Sequence, residues 1–159
     1  MITIPELLPA TRAFLARPAR MLLNGQWRPA SDGATLDSVD PATGRAIGKF
    51  PAGTAADADE AVRAARHAFP MWKKITPYDR GRLLQKAAAL LQKHADELAE
   101  LIALENGKPL WEAKKEVCTA VSWTEYYAGW TTKLLGDTIP LSLPGQFLNY
   151  TTREPLGVV

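Results

Sequence analysis

The chain has 159 residues, of which 47% are hydrophobic and 23% are charged, and its 19 basic residues nearly balance its 17 acidic ones. This composition is that of an ordinary globular domain and excludes a fibrous protein. Charges of both signs are scattered along the chain and form no basic block, so nucleic acid is not expected as a partner. No stretch approaches the roughly 20 apolar residues that cross a bilayer, so no membrane is expected either.

The cysteine count and the first twenty residues bear on the compartment. A single cysteine, Cys118, cannot form an intramolecular disulfide, which predicts a reducing compartment such as the cytoplasm. Residues 1–20 carry three arginines, but Pro5, Pro9 and Pro18 interrupt any apolar run. We therefore interpret residues 1–20 as an N-terminal arm and not as a targeting peptide.

Two short β segments follow the arm. Asn24-Gly25 separates two short runs between Met21 and Arg28, and this dipeptide favours the tight turn of a hairpin. Residues 37–44 contain Pro and Gly and predict a turn, after which residues 46–50 predict another short strand.

Capping residues predict three helices. Thr54 begins the first helix, with Asp57 three residues later as its capping-box partner. The second helix begins with Pro77 after Thr76 and continues to residue 106, where Gly107 ends it. The third is predicted over residues 110–135, with a glycine at position 136 as its terminator.

Helical spacing also predicts which residues of these helices are buried. In the second helix the charged residues, Glu100 among them, are expected to lie mostly in water. The predicted inner faces are Ala58, Ala61, Val62, Ala65, Ala68 and Phe69 in the first helix, Leu84, Ala87, Leu91, Ala95, Leu98 and Ile102 in the second, and Ala113, Val117, Ala120, Val121, Tyr127 and Leu134 in the third.

The last part of the chain changes to an extended pattern. Residues 138–143 and 147–153 predict a β-hairpin around a Pro-Gly turn, and Pro140 leaves one side of the first strand without a ladder donor. A two-stranded hairpin is marginal in water, so it should pair or dock elsewhere, for example in another subunit. The apolar residues 156–159 are interpreted as the opening of a buried strand whose partners lie beyond this sequence.

Six stretches, in this order and at this spacing, resemble the aldehyde dehydrogenase superfamily over nearly the whole chain from Leu22 to Val159. They are LNGQW from Leu23, DPATGRAIG from Asp40, AGTAADADEAVRAARHAF from Ala52, LENGKP from Leu104, YYAGWTTKLLGDTIP from Tyr126 and YTTREPLGVV from Tyr150.

This resemblance implies an α/β fold, namely the amino-terminal part of a Rossmann-like cofactor domain with a protruding oligomerisation β-hairpin, incomplete at its C-terminus. Residues 1–20 would be the N-terminal arm and 21–135 part of the cofactor-binding domain. Residues 136–153 would form the hairpin, through which the protein would assemble as a homodimer or homotetramer, and 154–159 would begin the first central strand.

The resemblance also implies a function. Family members oxidise an aldehyde to a carboxylic acid with NAD or NADP, through a thiohemiacetal on a cysteine. Their catalytic and cofactor-binding residues lie downstream of the strand that begins here at Leu156. We therefore expect no catalytic and no cofactor-binding residue in this chain, and no activity from the chain alone. The sequence leaves open which aldehyde is used and whether NAD or NADP is the cofactor. The alternative function is a non-catalytic fragment that binds intact subunits through the hairpin.

The resemblance singles out one candidate metal site. Some family members bind a monovalent cation with an acid at the position of Glu105 and with main-chain oxygens near Val39. Cys118 is interpreted as structural because it lies in mid-helix without a neighbouring base. His67 and His94 each stand alone on charged helices, and neither is assigned a role.

Overall fold

The computed structural model describes residues 6–18 and 20–159, so part of the predicted arm, residues 1–5 with Pro5 and residue 19, lies outside the described residues. Within the described arm, residues 9–15 form a short helix. No helix in the described ranges is long and apolar enough to cross a membrane. The elements are α1 (Pro9–Leu15), β1 (Met21–Leu23), β2 (Gln26–Arg28), β3 (Thr35–Val39), β4 (Ala46–Pro51), α2 (Ala55–Lys74), α3 (Pro77–Lys93), α4 (Ala95–Asn106) and α5 (Leu110–Trp130).

The strands form two antiparallel pairs, β1 with β2 and β3 with β4. The predicted first hairpin is confirmed: Met21 pairs with Arg28, and Asn24 and Gly25 both have positive φ angles, 49° and 74°, as a type I′ turn requires. The predicted strand at 46–50 is also confirmed. Its partner β3 was not predicted, because the sequence indicated only a turn from residue 37 onward.

The start of α2 has the predicted capping box. The hydroxyl of Thr54 accepts a hydrogen bond from the backbone N–H of Asp57, and the carboxylate of Asp57 accepts one from the N–H of Thr54. The predicted inner face of α2 is wrong for the described chain, because four of its six members, Ala58, Val62, Ala65 and Ala68, are exposed. Little of the described chain packs on this helix, so its apolar side has nothing to cover it.

The predicted second helix is two helices, α3 and α4, and this is a correction. They meet at His94, whose φ of −103° and ψ of 19° depart from helical values. The backbone N–H of His94 still donates to Leu90, and its carbonyl accepts from Leu98, so the helical spacing continues through the break. The end at residue 106 is confirmed, because Gly107 adopts the left-handed conformation with a φ of 77°.

The third predicted helix ends at Trp130 and not at residue 135. Two β-branched threonines follow, and the hydroxyl of Thr131 donates back to the carbonyl of Ala128, which favours leaving the helix. Consequently Leu134 lies outside the helix and is exposed. Ala120 and Tyr127 of the predicted stripe lie within α5 and are exposed as well.

Helix α5 packs against both α3 and α4, and the core between them consists of small side chains. Ala88 is buried in place of the predicted Ala87. The remaining members of the predicted inner face of the second helix are half-buried. The buried hydrophobic residues of the three helices are Ala88, Ala99, Ala113, Val117, Val121 and Ala128.

The predicted C-terminal hairpin is reduced to one antiparallel bridge, between Thr138 and Tyr150. The N–H of Ile139 donates to Asn149 at 2.9 Å beside this bridge, but residues 141–148 form no ladder. Pro140 cannot donate a ladder bond, and the described chain supplies no third strand, which explains the short pairing. Residues 156–159 form no strand either, and Leu156 is almost fully exposed.

Candidate functional site

The predicted cation residues lie at two element ends. Val39 is the last residue of β3, and Glu105 is the penultimate residue of α4. Glu105 lines a cavity of about 810 Å³ together with Ser38, the neighbour of Val39, although Val39 itself is not part of the lining. Among the described residues, no three His, Cys, Asp or Glu side chains cluster as a metal site would. The cation site therefore stays a prediction.

The cavity lies between the arm, the β3–β4 hairpin and α4. Its walls are largely aromatic and aliphatic, and its charged groups are mainly basic. Glu105 is the one acidic residue of the lining. The apolar residues and the cations that line it are Phe14, Leu15, Trp27, Ile47, Phe50 and Leu101, with Arg17, Arg20 and Lys49.

The arm wall of the cavity is held in place by Glu100 of α4. Its carboxylate accepts a hydrogen bond of 2.6 Å from the hydroxyl of Thr11 and one of 3.0 Å from the N–H of Leu8. Thr11 is fully buried. The expectation that Glu100 lies mostly in water is wrong, because helical spacing reveals an apolar face but not a distant hydrogen-bond donor.

A second polar cluster joins the β1–β2 hairpin to the start of α2, around the buried Asp57. One carboxylate oxygen of Asp57 accepts from the N–H and hydroxyl groups of Thr54 and of Ser31. These hydrogen bonds, led by the backbone N–H groups of Thr54 and Ser31, lower the pKa of Asp57 to about 2, against the opposing effect of burial. Arg28 lies 3.8 Å from the other oxygen and pairs with Glu60. The N–H and hydroxyl donors of Thr54 and Ser31 are used within the fold, which makes this cluster structural.

The remaining residues considered from sequence are dispersed. Cys118 is exposed in the middle of α5, and the ring of His94 lies 3.3 Å from Glu97 at the surface. Within residues 6–18 and 20–159, no histidine is hydrogen-bonded to Cys118, and no pair of nucleophile and base is formed. The structural interpretation of Cys118 stays a prediction.

The described helices thus pack on one another and leave other faces uncovered. Comparisons with known proteins show the family to which this fold belongs. The family model described as "Aldehyde dehydrogenase family" matches residues 27–159. This match covers most of the chain, and the chain belongs to the aldehyde dehydrogenase family.

Individual relatives match nearly the whole chain but are much longer. The candidate aldehyde dehydrogenase DhaS of Bacillus subtilis (strain 168) is 43% identical over 149 residues, which are 92% of this chain and 30% of that protein. Hydroxyisobutyraldehyde dehydrogenase of Mycolicibacterium austroafricanum is 40% identical over 143 residues, 90% of this chain and 28% of that protein. The chain therefore spans about 30% of the length of these curated relatives.

Solved structures give the same assignment for the backbone. A mutant of the aldehyde dehydrogenase from Bacillus cereus superposes with a TM-score of 0.91 at 41% identity, over 97% of this chain and 32% of that one. The NAD⁺ complex of the Bacillus cereus enzyme superposes with a TM-score of 0.89, over 95% and 31%. The predicted family and fold class, the amino-terminal part of an aldehyde dehydrogenase fold, are confirmed.

Proposed function

We propose that this chain is the amino-terminal part of an enzyme that oxidises an aldehyde to a carboxylic acid with NAD⁺ or NADP⁺. One observation supports this most: the chain superposes with a TM-score of 0.91 on a part of the Bacillus cereus aldehyde dehydrogenase that makes up 32% of that chain. The bound nucleotide would supply the hydride acceptor, and the acid would be released by water.

We propose further that the catalytic groups are contributed from outside residues 1–159. Cys118 is a poor nucleophile in this setting, because it lies in mid-helix without a hydrogen-bonded histidine and away from a helix N-terminus. The glycines of the chain form no G-x-G-x-x-G sequence that could hold a pyrophosphate. In this proposal residues 21–135 form part of the cofactor-binding domain and stabilise it without touching the reacting atoms.

The first substrate and cofactor to assay follow from two similar proteins. One relative is a hydroxyisobutyraldehyde dehydrogenase, and one solved neighbour was captured with NAD⁺. These proteins support a small aliphatic aldehyde and NAD⁺ as the first pair to assay, with NADP⁺ beside it.

A monovalent cation would bind between Glu105 and the carbonyl oxygens near Val39. Glu105 and Ser38, the neighbour of Val39, line the same cavity, which supports this proposal. Residues 136–153 would mediate assembly into a homodimer or homotetramer. Their single bridge and high exposure support this role, because they leave strand edges open for pairing.

The proposal is tested by nucleotide binding. The 159-residue chain and the longest reading frame that continues past Val159 are each titrated with NAD⁺ and NADP⁺ by calorimetry. We expect binding by the longer product and none by the 159-residue chain. Tight binding of NAD⁺ by the 159-residue chain would show that the cofactor site has been misplaced, and a longer product that binds neither nucleotide would contradict the proposed function.

A further inference from the structure

The cavity between the arm, the β3–β4 hairpin and α4 is enclosed by one continuous part of the fold. Every residue that lines it lies between positions 14 and 105. Its walls therefore arise where the arm, the two β-hairpins and the end of α4 fold on one another. Its volume of about 810 Å³ lies in the range of small-molecule sites.

The arm wall of this cavity is fixed at two points. Near its start, the hydroxyl of Thr11 donates to the carboxylate of Glu100 at 2.6 Å. Near its end, Leu15 lies against β4, where a methyl group placed on Gly48 would be 3.5 Å from Cδ2 of Leu15. Glycine at position 48 thus lets the arm approach the strand closely. Because both ends are held, the cavity is largely preformed, as ligand sites usually are.

Three aromatic rings from three different elements line the space. Phe14 comes from α1, Trp27 from β2 and Phe50 from β4, and their exposed fractions are 52, 64 and 44%. Aromatic rings offer a large apolar surface, on which a second ring packs in a stacked or edge-on arrangement. The walls are thus suited to a ligand with an apolar body.

The charges of the lining favour a single negative charge on that ligand. Lys49 is paired with Asp37 at 2.9 Å, whereas Arg17 and Arg20 form no salt bridge with any residue in the described ranges. Glu105 is the one acidic residue of the lining. Guanidinium groups bind carboxylates through two parallel hydrogen bonds. Two such groups against one acidic side chain match a carboxylate better than a doubly charged phosphate.

We infer that this cavity binds a small apolar carboxylate. The apolar body packs among Phe14, Trp27 and Phe50, and the carboxylate accepts hydrogen bonds from Arg17 and Arg20. The inference goes beyond the proposed function, which places only a monovalent cation at Glu105. A cation there would offset the acidic group of the lining and would not compete with the anion.

The inference is tested by calorimetric titration of the longest product of the reading frame that contains residues 1–159. The probe is hydrocinnamate, which combines a phenyl ring with a carboxylate. Its uncharged amide keeps the ring and loses the charge, and acetate keeps the charge and loses the ring. We expect hydrocinnamate to bind at least about tenfold more tightly than either, because each of the others lacks one half of the recognition.

Substitutions on the arm locate the binding site. The double variant Arg17→Gln with Arg20→Gln should weaken hydrocinnamate binding about tenfold, since it removes the charged donors. The matched control is Arg12→Gln on the same arm: Arg12 pairs with Glu6, does not line the cavity, and should change the affinity less than about twofold. Circular dichroism melting of each variant checks that the fold is unchanged.

Four results would each overturn the inference. They are no binding of hydrocinnamate, equal affinity for its amide, equal affinity for acetate, and an affinity that the double variant leaves unchanged because the acid binds elsewhere on the protein. A product that binds hydrocinnamate through Arg17 and Arg20 but oxidises no aldehyde would instead contradict the proposed function and leave this inference standing.

Discussion

The hydroxyl of Thr11 in α1 donates a 2.6 Å hydrogen bond to the carboxylate of Glu100 in α4, across 89 residues of sequence. Because Thr11 is fully buried and its acceptor is charged, this bond fixes the arm against the helical core. The arm in turn forms one wall of the cavity that Glu105 lines.

Removing this bond should loosen the arm and leave the core intact. Thr11→Val keeps the shape of the side chain but leaves the Glu100 carboxylate without its hydroxyl donor, which should cost about 1–3 kcal/mol of local stability. Hydrogen exchange of the α1 amides should accelerate accordingly. The exposed Arg12, which pairs with Glu6 at the surface, is the control, and Arg12→Ala should change exchange little. Unchanged α1 exchange in Thr11→Val would mean that apolar contacts alone hold the arm.

The capping box should determine the stability of the first turn of α2. Thr54→Ala removes the acceptor of the Asp57 N–H, and such losses cost about 0.5–2 kcal/mol. The readout is hydrogen exchange of the amides at the start of α2. Thr119→Ala, at an exposed position inside α5, removes a hydroxyl without removing a cap and should be neutral or slightly stabilising. An equal effect of both substitutions would contradict the capping role.

Acid should weaken the chain through Asp57. Its pKa is about 2 in the folded state and about 3.9 in an unfolded chain, so its stabilising effect is complete above about pH 4 and is lost as the pH falls from about 4 to 2. Urea unfolding at several pH values should show a stability difference between the natural chain and Asp57→Asn that shrinks through this window. The control is the same substitution at the exposed Asp59 on the same helix, Asp59→Asn. A difference in the free energy of unfolding that stays constant from about pH 5 to about pH 2 would exclude the low pKa of Asp57.

Two glycines with similar backbone angles should respond differently to alanine. Gly25 and Gly107 have φ angles of 74° and 77°, so alanine at either position costs about 1–2 kcal/mol of backbone strain. A methyl group at Gly25 meets no atom within 4 Å, whereas at Gly107 it would lie 2.7 Å from Cγ of Pro41. Thermal unfolding should therefore show Gly107→Ala to be the more destabilising. Equal melting temperatures of the two variants would mean that Pro41 moves away freely.

Much of the local structure could be predicted from the sequence, because it depends on signals within a few residues. The Asn24-Gly25 turn, the Thr54 cap and the Gly107 terminator need no tertiary information. The break at His94 was missed because helical hydrogen bonds continue on both sides of it and keep the apolar spacing in phase. Strand β3 was missed because its residues are mostly exposed and show little alternation of apolar and polar side chains.

Features that depend on distant partners could not be predicted in the same way. Spacing suggested a buried face for α2 and a full hairpin at 138–153, and both remain largely uncovered in the described chain. The candidate cation residues, Val39 and Glu105, came from resemblance alone, and their pairing stays a prediction. The helix–arm contact of Glu100 had no local signal at all.

The proposal that residues 1–159 belong to an aldehyde-oxidising enzyme, whose catalytic groups lie outside them, is tested most directly by one assay. The gene is read past the codon for Val159, the frame that continues is expressed, and aldehyde-dependent formation of NADH or NADPH is followed beside the 159-residue chain. The account predicts turnover by the longer product and none by the 159-residue chain. Turnover by the 159-residue chain, or a longer product that folds, binds nucleotide and oxidises no aldehyde, would contradict it.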